Sequence, residues 1–384
     1  MASTNDCIEW IVMKDDNHNQ VWFNSTCNIT NGNSTTGVRA SLPATLSISL
    51  IGFFANSLIC YAIVKKKLLH LSIYSMICNM CISDSITLIS VAINAILSAV
   101  RLLFQVRDKQ GLLPYEVGCK LSYFILNTGF TVSTISLAVI SIDRYYIIVR
   151  SIGRNSILNT KRKIILTIIV IWAYSMIINV PIIYLMYIPI EAQTACDVYY
   201  YSYNFNAIYF LLLSVLNYFI PLSIIVIMYI RIVIHLRKTI RSQIQPAGNS
   251  LATHSVPVSS TNFSAASSFD TNRKRRIAII KMIVIATAVY MLTSLPYTLI
   301  LLSAAFSRMT ILQLRNSVSS SAAIFIIFGF ILTSVACVEN PIIYLITNKV
   351  LRSGLPKCLQ CKKNRHILHI QTARTSTKNK FIPR

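Results

Sequence analysis

The stretch Cys119–Arg150 reads CKLSYFILNTGFTVSTISLAVISIDRYYIIVR, and it decides the fold. It contains no proline, and Gly129 is its one poor helix former. Cys119 and Arg144 stand 25 residues apart, about 37 Å along an α-helix at about 1.5 Å per residue. The hydrocarbon core of a bilayer is about 30 Å thick. One helix therefore carries a cysteine at one water boundary and Asp143-Arg144-Tyr145 at the other. Charge inside a membrane helix is costly, so its presence points to function before packing.

The whole chain fits a membrane setting. Of its 384 residues 54% are hydrophobic and 12% charged, about half the charge of a soluble domain. The net charge is +24, but its placement argues against nucleic acid. Of 36 Lys and Arg, 28 fall within residues 65–70, 144–163, 231–281 and 349–384. The remaining eight are matched by eight acids in the other loops and the N-terminus. That asymmetry predicts an extracellular N-terminus and a cytoplasmic C-terminus. Basic segments on the inner side also attract anionic membrane lipid.

Seven apolar stretches are long enough to span, at about 43–64, 71–99, 117–149, 163–188, 206–236, 275–303 and 320–346. The fold class is an all-α membrane protein, a seven-transmembrane helix bundle. Residues 1–42 are polar, with no apolar core of signal-peptide length, so no cleaved signal is expected. They carry three N-x-S/T sites at Asn24, Asn28 and Asn33, which predicts an extracellular glycosylated segment. The helix bundle covers 43–347. Residues 238–272, rich in Ser, Thr, Asn, Ala and Pro, are expected to be a disordered cytoplasmic loop. Residues 348–384 form a short amphipathic helix and a tail.

One marker residue or motif stands in each helix, in order. The first has Gly52-x-x-x-Asn56, the second Asp84, the third Cys119 and Asp143-Arg144-Tyr145, and the fourth Trp172. Pro221 and Tyr229 follow in the fifth, Pro296 in the sixth, and Asn340-Pro341-x-x-Tyr344 in the seventh. This series resembles the rhodopsin-like (class A) G-protein-coupled receptors across roughly residues 43–361. The sixth helix departs from that pattern, with Ser294 where the family has its switch tryptophan.

The resemblance implies a disulfide between Cys119 and Cys196, with Cys7 and Cys27 as a second candidate pair. Cys60, Cys78, Cys81 and Cys337 lie within helices and read as packing residues. It implies an activation relay of Asp143, Arg144, Tyr145, Tyr229, Pro296, Asn340, Pro341 and Tyr344. A lone acid at the depth of Asp84 is either neutral and hydrogen-bonded or holds a cation. The resemblance implies an allosteric sodium pocket of Asp84, Ser133 and Asn340, with Ala336 replacing a polar residue beside it. Cys358 and Cys361, after the amphipathic segment, are expected palmitoylation sites.

No Walker loop, H-E-x-x-H or G-x-S-x-G motif is present, so an enzyme is not expected. A transporter would show paired intramembrane charges or broken helices in two related halves. A retinal protein needs a seventh-helix lysine for its Schiff base. Ser334 stands at that position, and 320–346 hold no lysine. No cofactor is expected beyond the sodium ion.

The implied function is transmission of an extracellular ligand signal to heterotrimeric G proteins at the plasma membrane, with arrestin a further partner of the Ser/Thr-rich loop and tail. Leu126 replaces the acid that binds amines in related receptors, and Asn127, Phe130, Thr131, Tyr297 and Ser334 complete the expected ligand pocket. The loop Glu191–Tyr203 is acidic and Tyr-rich. It favours a peptide ligand, with a neutral small molecule or lipid as the alternative. The same tyrosines also fit an interfacial aromatic belt.

In many members of the family an acid on the sixth helix pairs with the arginine of the triplet. Counting back 20 residues from Pro296 reaches Arg276, in Arg273-Lys274-Arg275-Arg276. A charge-assisted pair is worth about 1–3 kcal/mol, so its absence shifts a two-state balance by roughly 5- to 150-fold. Arg276→Glu is expected to lower ligand-independent nucleotide exchange at matched surface expression. Unchanged or raised exchange would show that the missing pair does not set the resting state.

Overall fold

The computed structural model describes residues 8–14, 20–26, 33–104, 109–149, 157–188, 196–198, 203–244, 261–307 and 320–356. An antiparallel hairpin of β1 (Ile8–Lys14) and β2 (Gln20–Thr26) precedes the bundle. Its ladder ends at Ile8 opposite Thr26. Cys7 and Cys27 lie just outside the described residues.

The long helices are α1 (Asn33–Lys65), α2 (Ser72–Phe104), α3 (Lys109–Val149) and α4 (Lys161–Leu185). A short pair of strands, β3 (Met186–Tyr187) and β4 (Asp197–Val198), follows α4. The fifth span is α5 (Tyr203–Ser214), a π-helical turn at Val215–Phe219 and α6 (Ile220–Ile244). The sixth is α7 (Thr261–Phe306) and the seventh α8 (Ser320–Thr347). The short α9 (Lys349–Gly354) completes the described chain.

Seven apolar segments, from Leu42–Lys65 to Ile324–Thr347, are long enough to cross a bilayer. With no water in the hydrocarbon core, each must bond its own backbone groups, which a helix does. The third span is the axis: 78% of its most apolar window is buried, against 22% for the fourth. It packs on the second, fourth and fifth spans, while the first packs on the second and seventh and the sixth on the fifth and seventh. Gly129 permits the close approach of second and third spans, since a Cβ there would strike the Thr87 hydroxyl.

Two features differ from expectation. Residues 238–272 are not one long coil. Helix α6 runs on to Ile244 and α7 begins at Thr261. Beyond Pro257 this stretch has no proline or glycine, and Ala265, Ala266 and the basic run Arg273–Arg276 are compatible with helix. The π turn in the fifth span was not expected either. It carries no proline or glycine and so left no mark in the pattern of apolar residues.

Cys119 and Cys196 form a disulfide that fastens the N-terminal part of the third span to the segment leading into β4. Asn348 caps α9, its side chain accepting from the Val350 and Leu351 amides. Leu351 and Leu355 are buried in the main core. That buried side holds α9 against the bundle.

Candidate functional site

At the far end of the third span from the disulfide, Arg144 is held from one side. Its Nη2 donates to Asp143 Oδ2 and to Ser72 Oγ, the latter at 3.1 Å. Ser72 in turn donates to the same Asp143 oxygen at 2.9 Å. The side chain of Asp143 is 2% exposed and that of Arg144 15%, so the carboxylate is buried and the guanidinium partly so. Tyr229 from the fifth span lies beside Ser141 and Thr287 and near Arg144, without a hydrogen bond of good geometry. Tyr344 is buried in the main core. Tyr145 is buried and meets the ring of Tyr146 edge-on. Arg276 and Asp270 fall on α7, and their side chains are outside the described residues.

Deeper in, Ser133 donates to Asp84 Oδ1 at 2.7 Å. Asp84 Oδ2 and both side-chain atoms of Asn340 are buried with no hydrogen-bond partner among the described residues. Buried polar atoms left alone are costly. The Asp84 carboxylate and the Ser133 hydroxyl bring together oxygen atoms of the kind a hard cation takes. Ala336 contributes no oxygen side chain to that set. Glu339, beside Asn340, faces the sixth span and accepts from Thr293 at 3.0 Å.

An aromatic cluster lies on the disulfide side of the bundle. Phe130 stacks on Tyr290 with centroids 6.0 Å apart and meets Tyr297 edge-on. Phe330 meets both Tyr297 and Tyr123 edge-on. Tyr297 donates to Asn127 Oδ1 at 2.9 Å, joining sixth and third spans. Thr131 is buried and accepts from Asn179 of the fourth span. Leu126 packs at the edge of the outer core. Ser334 is buried, with its hydroxyl directed at the Phe330 carbonyl.

Where the tryptophan was missing, a polar collar surrounds the sixth span just before Pro296. Ser294 bonds back to the Tyr290 carbonyl at 2.6 Å. The Tyr290 hydroxyl lies 3.2 Å from Thr134 Oγ1 and also donates to the Phe130 carbonyl. Tyr218, presented by the π turn, donates to the Met291 carbonyl at 2.8 Å. Sequence reading missed this collar. Its signal was a set of Thr, Tyr and Glu side chains within apolar runs, residue types that bond across membrane helices.

Asn56 donates to the carbonyls of Gly52 and Cys337, both at 2.9 Å, which ties first and seventh spans. Asn79 was also missed. It accepts from Trp172 Nε1 at 2.9 Å and donates to Ser136 at 3.1 Å, linking second, fourth and third spans. Of the modification sites, Asn24 falls on β2 and Asn33 opens α1. Asn28, Cys358 and Cys361 lie outside the described residues.

Seven membrane-length helices, a disulfide at one end of the third and at the other an Asp143–Arg144 pair with its carboxylate buried define a seven-helix receptor bundle. The chain belongs to the 7 transmembrane receptor (rhodopsin family), whose pattern matches residues 55–344. It is similar to Melanopsin-A of Danio rerio, 24% identical over 346 residues, covering 86% of this chain and 53% of that protein. Blue-sensitive opsin of Gallus gallus is 26% identical over 251 residues, 64% of this chain and 60% of its own. Rhodopsin of Sminthopsis crassicaudata is 22% identical over 320 residues, 82% and 80% respectively. The chain spans about half the length of the melanopsin it matches over most of its own residues.

The Asn79 linkage yields a sharp expectation. Asn79→Ala leaves the Trp172 N–H buried without its acceptor and should cost about 1–3 kcal/mol. Trp172→Phe in that background should then cost less than it does alone, a coupling read from thermal unfolding in detergent. Strict additivity would mean the two side chains act separately.

Proposed function

We propose that this chain is a G-protein-coupled receptor of the plasma membrane, with its N-terminus outside and its C-terminus in the cytoplasm. The observation that carries the reading is the Asp143–Arg144–Ser72 cluster at one end of the most buried span, with Tyr229 near Arg144. A part-buried arginine held within its own side of the bundle is available to a partner once the sixth span moves away. Ligand binding would bias that two-state balance by differential affinity. The basic loops would steer an acidic face of the G protein toward the opening.

The central cluster supports a neutral, largely apolar ligand. Its described side chains are aromatic, amide or hydroxyl, and Leu126 removes an acid for an amine. The peptide alternative rests on the Tyr-rich loop Glu191–Tyr203, most of which lies outside the described residues. Light is the stimulus named for the chicken blue-sensitive opsin. Ser334 has no amine, so a retinal Schiff base cannot form there, and we favour a diffusible ligand. Glycans at Asn24, Asn28 and Asn33, palmitate at Cys358 and Cys361, and arrestin binding to loop and tail belong to the same reading.

The orphaned atoms around Asp84 support a sodium ion held by Asp84, Ser133 and Asn340 in the inactive state. Receptor in nanodiscs, mixed with G proteins of several classes, should accelerate nucleotide exchange without ligand for at least one class. Arg144→Ala should lower that rate at least fivefold. Exchange no faster than with empty discs for every class would overturn the coupling. In the same assay, replacing potassium by sodium should slow exchange in the parent and leave Asp84→Asn unchanged. Equal sensitivity in both would remove the cation from Asp84.

A further inference from the structure

Cys60 of the first span and Cys78 of the second face one another with their sulfurs 3.7 Å apart. The Cys78 thiol is directed at the Cys60 sulfur, while the Cys60 thiol is directed at the Cys78 carbonyl, 3.9 Å away. Both residues are free cysteines and both are partly exposed. We propose that Cys60 and Cys78 form a reversible disulfide between the first and second spans, with a hydroperoxide as the oxidant.

The turn between the two helices fixes the pair. Lys66 donates to Ala62, Leu68 to Ile63 and Leu71 to Leu68, so the connection from Lys65 to Ser72 is a short hydrogen-bonded turn. The sulfurs thus lie near the closed end of a hairpin of helices. Their contact must shorten from 3.7 Å to about 2.05 Å for a bond. Holding two reactants together in this way gives a large effective concentration.

Depth supports the choice of oxidant. Cys60 lies five residues before Lys65, about 7.5 Å below the charged boundary. A hydroperoxide on a lipid chain is polar and is drawn toward this boundary, the depth at which the partly exposed Cys60 lies. Buried, apolar thiols are slow nucleophiles because the thiolate is the reactive form. The nearby boundary offers water to take the proton.

The chemistry balances without a further reagent. One thiol sulfur attacks the terminal peroxide oxygen, an S–O bond forms and the O–O bond breaks. The alcohol leaves with the thiol proton, and a sulfenic acid remains. The second sulfur attacks the first, the S–S bond forms, and the S–O bond breaks to release water. Two thiols lose two electrons in all, and the peroxide is reduced to alcohol and water. A thiol reductant reverses the bond by exchange.

Cys81 is the competing thiol. It lies near Cys60 on the same helix as Cys78, but it is 1% exposed. Cys337, also buried, serves as an internal control. The full-length receptor in nanodiscs is treated with cumene hydroperoxide, blocked with a maleimide, denatured and digested with trypsin. Cleavage at Lys65, Lys66 and Lys67 separates Cys60 from Cys78, so the disulfide appears as two linked peptides. The linked pair is expected in the parent and in Cys81→Ser, at least tenfold faster than oxidation of Cys337, and is lost in Cys60→Ser and Cys78→Ser. Dithiothreitol should restore both thiols. Free thiols after treatment, linkage through Cys81, or a sulfinic acid on one cysteine without a bond would each overturn the proposal.

Discussion

Inside hydrocarbon a polar group that finds no partner in the protein finds none at all. This constraint organises the bundle. Helix formation satisfies the backbone within each span, and the side chains that remain polar then link the spans. Asn56 links first and seventh, Asn79 joins second, third and fourth, and Tyr297 joins sixth to third. Apolar packing alone distinguishes poorly between one helix face and another in lipid. The few directional bonds therefore fix which faces meet. Arg144 obeys the same rule, since its charge is tolerated only because Asp143 and Ser72 surround it.

The third span illustrates why so much of this fold was legible. Its length, its apolar run and its terminal Asp143-Arg144-Tyr145 are one-dimensional signals, and each survives without knowledge of any partner. The same holds for the pairing of Cys119 with Cys196, which the family resemblance supplied and the structure bears out. Boundaries of the spans were close because charge ends them sharply. Helix α7 was the exception. Its extension to Thr261 depends on propensity outside the membrane, where no apolar pattern marks it.

The candidate site was legible by position and not by bonding. Asp84 is bonded to Ser133, and Asn127 to Tyr297. The collar around Tyr290 did not emerge from the sequence. A tyrosine and a threonine in separate apolar runs carry no sign that they meet. Replacement of a bulky ring at position 294 by serine was visible, but its consequence depended on neighbours. The serine turns back on its own helix, and Tyr290 makes the cross-helix contacts just below it. Cohesion between the sixth and third spans thus includes hydrogen bonds beside ring contact, and such bonds are directional.

The π turn at Val215–Phe219 has a consequence for how this chain tolerates change in length. Such a turn accommodates one residue more than an α-helical turn does, so the fifth span already contains what amounts to an insertion. Loss of one residue within Val215–Phe219 would restore plain α-helix while Tyr203–Ser214 and Ile220–Ile244 keep the faces they now present. Tyr209 and Phe210 would stay in the core, and Pro221 and Tyr229 would keep their register. The loss would be local, because the turn is what presents Tyr218 to the Met291 carbonyl. A single-codon deletion is thus absorbed at this one place in the span, at the expense of one tie to the sixth.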